Sequence, residues 1–224
     1  MTSFSEILLA VFLLTDLLLA GTGRLRQAIR LVAVQGVGIG LIPILMFDWS
    51  SGAVPDWRLW SIASVNALVK GFALPVLLMF AARKSKATFE LEPIIGYRLS
   101  QFLVFLLCAA SFLAGKSLNL QGAAANGLAI PVAFTTIGTG LFLVCSRRKA
   151  ITQVLGFLTF ENGIAVFGSG LLIENELTVE LGILLDVFVL VFVLGIAIYQ
   201  INRTFSSIDV DKLNRLGDAH LLKR

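Results

Sequence analysis

The chain has 224 residues, 57% of them apolar and 14% charged, with a mean hydropathy of +0.90 and a formal net charge of +4. So oily a composition excludes an ordinary soluble domain and implies an integral membrane protein. Two cysteines in separate apolar runs, Cys108 and Cys145, and a single His220 near the C-terminus exclude an iron–sulfur cluster, a tetrahedral zinc site or a bis-His haem built from this chain alone.

A spanning helix needs about 20 largely apolar residues, and on that test the sequence predicts an all-α, polytopic fold with seven spans. The first, Glu6–Ala20, has the length of a secretory signal. Glu6 replaces the usual positive start, however, and no small-residue cleavage pattern precedes the basic "GRLRQAIR", so a retained helix is expected. The second, Ile29–Phe47, contains "GVGIG" at Gly36–Gly40, which superficially resembles a dinucleotide loop. It sits in an apolar run with no strand before it, and close helix packing is the better reading. The third, Trp60–Ala82, carries Lys70 followed by Gly71 and Pro75, a combination that frees backbone carbonyls. The fourth, Leu99–Leu113, is short like the first. The fifth covers Ala124–Cys145, and the two cysteines in the fourth and fifth spans are expected to be small buried hydrophobes. The sixth, Ala150–Ile173, sets Glu161 beside Asn162 among Gly156, Gly163, Gly168 and Gly170. The seventh, Leu177–Ile201, carries Asp186 one turn after Gly182. The polar tail, 203–224, has a modest apolar period at Leu213, Leu216, Leu221 and Leu222, which suits either docking on a partner or a membrane surface or a simply frayed end.

Basic residues divide unevenly between alternate connectors. One side holds Arg24, Arg26 and Arg30, then Arg83, Lys84, Lys86 and Arg98, then Arg147, Arg148 and Lys149, and finally the basic residues of the tail, while the other holds Arg58 and Lys116. The asymmetry places the N-terminus outside and the C-terminus in the cytoplasm. It also accounts for the positive net charge without nucleic acid.

Four charged residues remain inside spans: Asp16, Lys70, Glu161 and Asp186. Asp16 is nearer the inner end of its helix. The other three lie near mid-span, roughly 15 Å from either surface at 1.5 Å per residue, too deep for a carboxylate to reach water. An ionised group there costs at least about 2.5 kcal/mol on insertion scales and needs a partner, a proton or water. One reading is a buried salt bridge of Lys70 with Glu161 or Asp186 that fixes helix order. The other is a set of titratable sites for proton movement, since Ser, Thr or Asn would hold helices together at lower cost.

The stretches "SRRKAITQVLGFLTFENGIAVFG", "LGILLDVFVLVFVLGIAIYQINRTFSSIDVDKL" and "ALVKGFALPVLLMFAAR" resemble the hydrogenase-4 component E family of membrane subunits. The last three spans are also similar to the K subunit of respiratory complex I, in which two helices each carry a carboxylate on the proton route. Glu161 matches the first of these and Asp186, shorter by a methylene, the second, whereas Asp16 and Lys70 inherit nothing from that subunit.

The resemblance implies a four-helix membrane region, 1–120, a three-helix region like the K subunit, 121–202, and a cytoplasmic tail, 203–224. It further implies a membrane-arm subunit of a complex I-like, energy-converting redox assembly of the group 4 hydrogenase or formate hydrogenlyase type, in a bacterial or archaeal cytoplasmic membrane. Antiporter-like and redox subunits would be the partners, with iron–sulfur clusters and a nickel–iron site in those partners and none here. Proton or sodium translocation would use Glu161, Asp186, Lys70 and Asp16, with no catalytic residue in this chain. A stand-alone secondary transporter is the rival in a different class, although no inverted repeat is evident. A purely structural adaptor is the third reading.

Overall fold

Inside a bilayer each backbone N–H and C=O must find a partner within its own segment, so long apolar runs close into helices. A computed structural model of the chain describes residues 2–47, 55–84, 94–117, 127–147, 149–170 and Gly195. Their helices are α1 (Thr2–Gly21), α2 (Leu25–Met46), α3 (Trp57–Leu68), a π turn (Val69–Ala73), α4 (Leu74–Lys84), α5 (Tyr97–Ser117), α6 (Ala129–Ser146) and α7 (Ala150–Gly170). The pieces α3, π turn and α4 form a single crossing, so the described residues supply six segments long and apolar enough to span a membrane. No β-strand occurs among the described residues. Apart from Gly195, the expected seventh span, Leu177–Ile201, lies outside them with Asp186 and the tail, 203–224.

Several boundaries differ from expectation. The short first and fourth spans are full-length helices, since α1 and α5 extend over Ser, Thr and Tyr residues that suit an interface. The fifth begins at Ala129 instead of Ala124, after a turn at Gly127 and Leu128, with Pro131 in its first turn, where a missing N–H breaks no helical bond. Cys108 is half-buried and Cys145 exposed, contrary to the expectation that both are buried. Both lie away from the bundle centre, where lipid supplies the apolar surroundings that a protein core would otherwise give.

Small residues bring the helices together, as expected where lipid gives no hydrophobic drive for association. The most extensive contact joins α6 to α7. There a Cβ on Gly156 would stand 2.7 Å from Val144 N and 2.9 Å from Gly140 O. Ser and Thr hydroxyls in this region donate to carbonyls of their own helix, Thr135 to Pro131 O (2.8 Å) and Thr159 to Leu155 O (2.9 Å). They satisfy themselves and let the helices close up.

The "GVGIG" run packs as expected. On α2, Gly40 faces Ala63 O and Ala67 of α3, and Gly36 lies against the backbone carbonyl of Lys70 in the π turn. The π turn itself is a five-residue hydrogen-bond step, with Leu74 N–H donating to Val69 O. Pro75 has no N–H to contribute to the ladder, and π turns are a known way of absorbing such a break.

Two apolar clusters fill the bundle. One joins Leu19, Ile29, Val32, Leu74, Leu143 and Leu158 with their neighbours; the other joins Leu9, Phe12, Ile39, Val132, Ala133 and Val166. Between Phe12 and Leu19 on α1, Val32 and Ile39 on α2, Ala133 and Leu143 on α6, and Leu158 and Val166 on α7, a narrow layer remains, and the polar residues occupy it.

Gly36→Ala tests the close approach of α2 to the π turn. Its new methyl would meet the Lys70 carbonyl and stand 2.8 Å from Gly71 N. Overpacking of this kind costs about 1–3 kcal/mol, so the variant is expected to unfold at a lower fraction of added denaturing detergent than wild type. Equal midpoints would show that the backbones are not in contact there.

Candidate functional site

The layer between the apolar clusters holds Thr15 and Asp16 from α1, Gln35 from α2, Lys70 from the π turn, Thr136 from α6, and Glu161 and Asn162 from α7, all buried. Lys70 Nζ stands 2.8 Å from Glu161 Oε1. Of the two partners that the sequence left open for Lys70, Glu161 is the one in contact. Asp186 lies outside the described residues. The π turn matters locally because widening the helix by one residue rotates α3 about the axis relative to α4. Lys70 is buried while its neighbour Phe72 is exposed on the outside of the bundle.

Asn162 points to a different helix from Glu161, as expected for adjacent residues about 100° apart around α7. Its Nδ2 donates to Gln35 Oε1 at 3.4 Å. The Gln35 amide in turn donates from Nε2 to Thr15 Oγ1 (3.0 Å) and Asp16 Oδ1 (2.8 Å). Thr136 Oγ1 lies 2.7 Å from the other Asp16 oxygen, Oδ2. Asp16, expected nearer the inner end of its helix, therefore belongs to the same belt as Glu161, its hydrogen bonds reaching Asn162, the next residue of α7, through Gln35. Asp16, Lys70, Glu161 and Asn162, all conspicuous in the sequence, come together here. Gln35 and Thr136 join them without having stood out, although an amide inside "LVAVQGVGIG" carries the same signal as the charges, a polar group in an apolar run.

Arg147, grouped by its sequence position with the basic loop residues, is not a solvated loop cation. It is 2% exposed, with Nη2 donating to Ala20 O (3.1 Å) and its guanidinium 5.4 Å from the Tyr97 ring centroid. A cation at the C-terminal end of α1 meets helix carbonyls that lack intrahelical partners, which favours it there. Burial pulls the guanidinium below its usual value, and Tyr97 acts in the opposite direction. Arg147 remains on the end of the bundle to which its basic neighbours belong, so its role there is to join α6 to the end of α1.

The belt contains two carboxylates, one ammonium, two amides and two hydroxyls. Such a set can hold and shift protons and charge. Among the described residues no three His, Cys, Asp or Glu side chains gather as a metal site would require.

No family model matches the chain, and no solved structure does. Among curated proteins, "Uncharacterized protein Rv0085" of Mycobacterium tuberculosis is 31% identical over 208 residues, covering 92% of each chain. Hydrogenase-4 component E of Escherichia coli strain K12 is 24% identical over 164 residues, 73% of this chain and 75% of its own, and the Shigella flexneri protein of that name gives the same values.

The ion pair makes a specific energetic prediction. Removing one member of a buried pair strands the other charge and costs about 3–5 kcal/mol, whereas removing both is nearly neutral. Lys70→Met and Glu161→Gln should each lower the detergent-unfolding midpoint, and the double variant should recover most of the loss. Additive losses in the double variant would show that the two groups do not interact.

Proposed function

The chain belongs to the family of the Mycobacterium tuberculosis protein Rv0085, and from this membership and the more distant hydrogenase-4 relatives we infer that it is a membrane subunit of a complex I-like, energy-converting redox complex. In this reading its intramembrane charges serve proton or sodium translocation, coupled to electron transfer in partner subunits that carry the iron–sulfur and nickel–iron centres. The partners are antiporter-like membrane subunits and redox subunits. The location is a bacterial or archaeal cytoplasmic membrane, with the N-terminus outside, the tail 203–224 in the cytoplasm, and regions 1–120 and 121–202 as the two membrane units.

The observation that carries the reading is the placement of Lys70 on a π turn directly against Glu161, 2.8 Å away and within the same layer as Asp16. A carboxylate and an ammonium in contact can exchange charge states: a proton arriving on Glu161 removes the anion that holds Lys70 charged, and burial then favours its neutral form. Loading at one site is thereby felt at the next. Asp186 is proposed as a further station on the seventh span, by its match to the K subunit.

The same pair gives the adaptor reading its one specific support, because an ion pair at 2.8 Å also fixes the register of α7 against the π turn. A stand-alone transporter has no comparable observation in its favour.

A fluorescent protein that matures only in the cytoplasm, fused to the C-terminus and used as a purification handle in mild detergent, tests the assignment. The fusion is expected to fluoresce and to retain antiporter-like and hydrogenase-type subunits. A dark fusion would reverse the topology, and recovery of this chain alone or as a homo-oligomer would overturn the subunit reading.

A further inference from the structure

Each hydroxyl and amide around Asp16 has a fixed number of hydrogens to give, which sets its role. Thr15 Oγ1 donates its one hydrogen to Phe12 O at 2.8 Å, so toward Gln35 it acts as an acceptor. Asp16 Oδ1 is an acceptor as well. Both therefore take the two Nε2 hydrogens of Gln35, which orients that amide and leaves Oε1 to accept from Asn162. Thr136 is different. Its Oγ1 lies within bonding distance of two oxygens, Asp16 Oδ2 at 2.7 Å and Val132 O at 3.0 Å, and it has one hydrogen to give.

Two arrangements satisfy every heavy-atom position. With Asp16 ionised, Thr136 donates to Oδ2. With Asp16 protonated on Oδ2, the carboxylic O–H donates to Thr136 Oγ1 and the threonine hydrogen turns to Val132 O. Oδ1 keeps the Gln35 N–H in both. The carboxyl group has no exposed surface, so both forms are held in a closed environment where an unsatisfied polar group would be expensive. Moving between them takes one proton and a rotation of one hydroxyl, with no displacement of a helix.

We propose that Asp16 and Thr136 form a proton-binding site that takes up and releases a single proton by reorientation of the Thr136 hydroxyl. Uptake converts the carboxylate to the acid and release restores it, with bulk water as the source and sink of the proton. Asp16 is the group that binds the proton and Thr136 is a positioning residue. The inward-facing charged groups of the surrounding elements are Glu161 of α7 and Lys70 of the π turn, paired with each other, and Arg147 at the end of α6, which bonds Ala20 of α1. Gln35 of α2 is neutral. From α5, Gln101 approaches Leu17 O at 3.5 Å and Arg98 is exposed. The amides Gln35 and Asn162 do not carry an excess proton readily, so the proton stays with the Asp16 carboxyl.

This inference rests on the translocation reading for its purpose but is tested apart from it. Infrared pH-difference spectra of the full chain in lipid nanodiscs report a protonated carboxyl through its C=O stretch. A band that appears on acidification and is absent in Asp16→Asn identifies the site. Thr136→Val, which keeps the shape and removes the hydroxyl, is expected to move that band to higher wavenumber. It is also expected to let the acid form persist to more alkaline pH by about one unit, because a charge-assisted bond to the anion is lost. Thr136→Ser is expected to restore both properties. No Asp16-dependent band between acid and alkaline pH, or a band unchanged in Thr136→Val, overturns the proposal. Loss of the co-purifying partners would leave this titration as it is, so the two readings fail separately.

Discussion

An ammonium and a carboxylate 2.8 Å apart at the centre of an apolar bundle impose the constraint around which the rest of the structure is arranged. Neither charge is tolerable there alone. The approach of Lys70 to Glu161 depends on the π turn between α3 and α4, and the π turn is accommodated because Gly36 and Gly71 let α2 pass against it. Replace the glycines with larger residues and the crossing widens; straighten the turn and Lys70 leaves its partner. The apolar clusters on either side of the belt exclude water from both directions, which makes each polar contact inside it stronger and each missing one more costly.

The belt is continuous in space although it is assembled from five separate stretches of chain. Gln35 is its hub, since one amide reaches Thr15, Asp16 and Asn162. The two carboxylates do not touch. The hydrogen bonds from Asp16 run through Gln35 to Asn162, the sequence neighbour of Glu161, so the carboxylates are better described as two stations than as a wire.

Much of this is legible in the sequence, for a physical reason that also explains what is not. Asp16, Lys70 and Glu161 stand out because an ionisable group in a spanning run is rare and expensive. "GVGIG" reads as a packing surface because no strand precedes it. The pairing of Lys70 stays open between Glu161 and Asp186 at the level of sequence, since spacing along the chain carries no distance between helices. Gly71 and Pro75 foreshadow the π turn without giving its geometry. Gln35 and Thr136 escape notice because amides and hydroxyls cost less in lipid and occur widely in spans. Arg147 resembles a solvated cation because it follows the end of an apolar run, where most cations do face water. The cysteines mislead for the opposite reason: in a membrane protein an apolar side chain is as well housed against lipid as in the core.

The contact fixes the register of α7 against the π turn, and the proposed translocation would add a second role, a change of charge during turnover. Proton movement into sealed inverted vesicles, driven by electron transfer through the assembled complex, separates them when the pair is neutralised as a whole by Lys70→Met with Glu161→Gln. That variant leaves no stranded charge, so assembly and partner redox activity with an artificial carrier should persist. If the pair changes charge during turnover, proton movement falls to a small fraction of the wild-type rate. Proton movement at the wild-type rate would contradict that role and leave the pair a structural fastening.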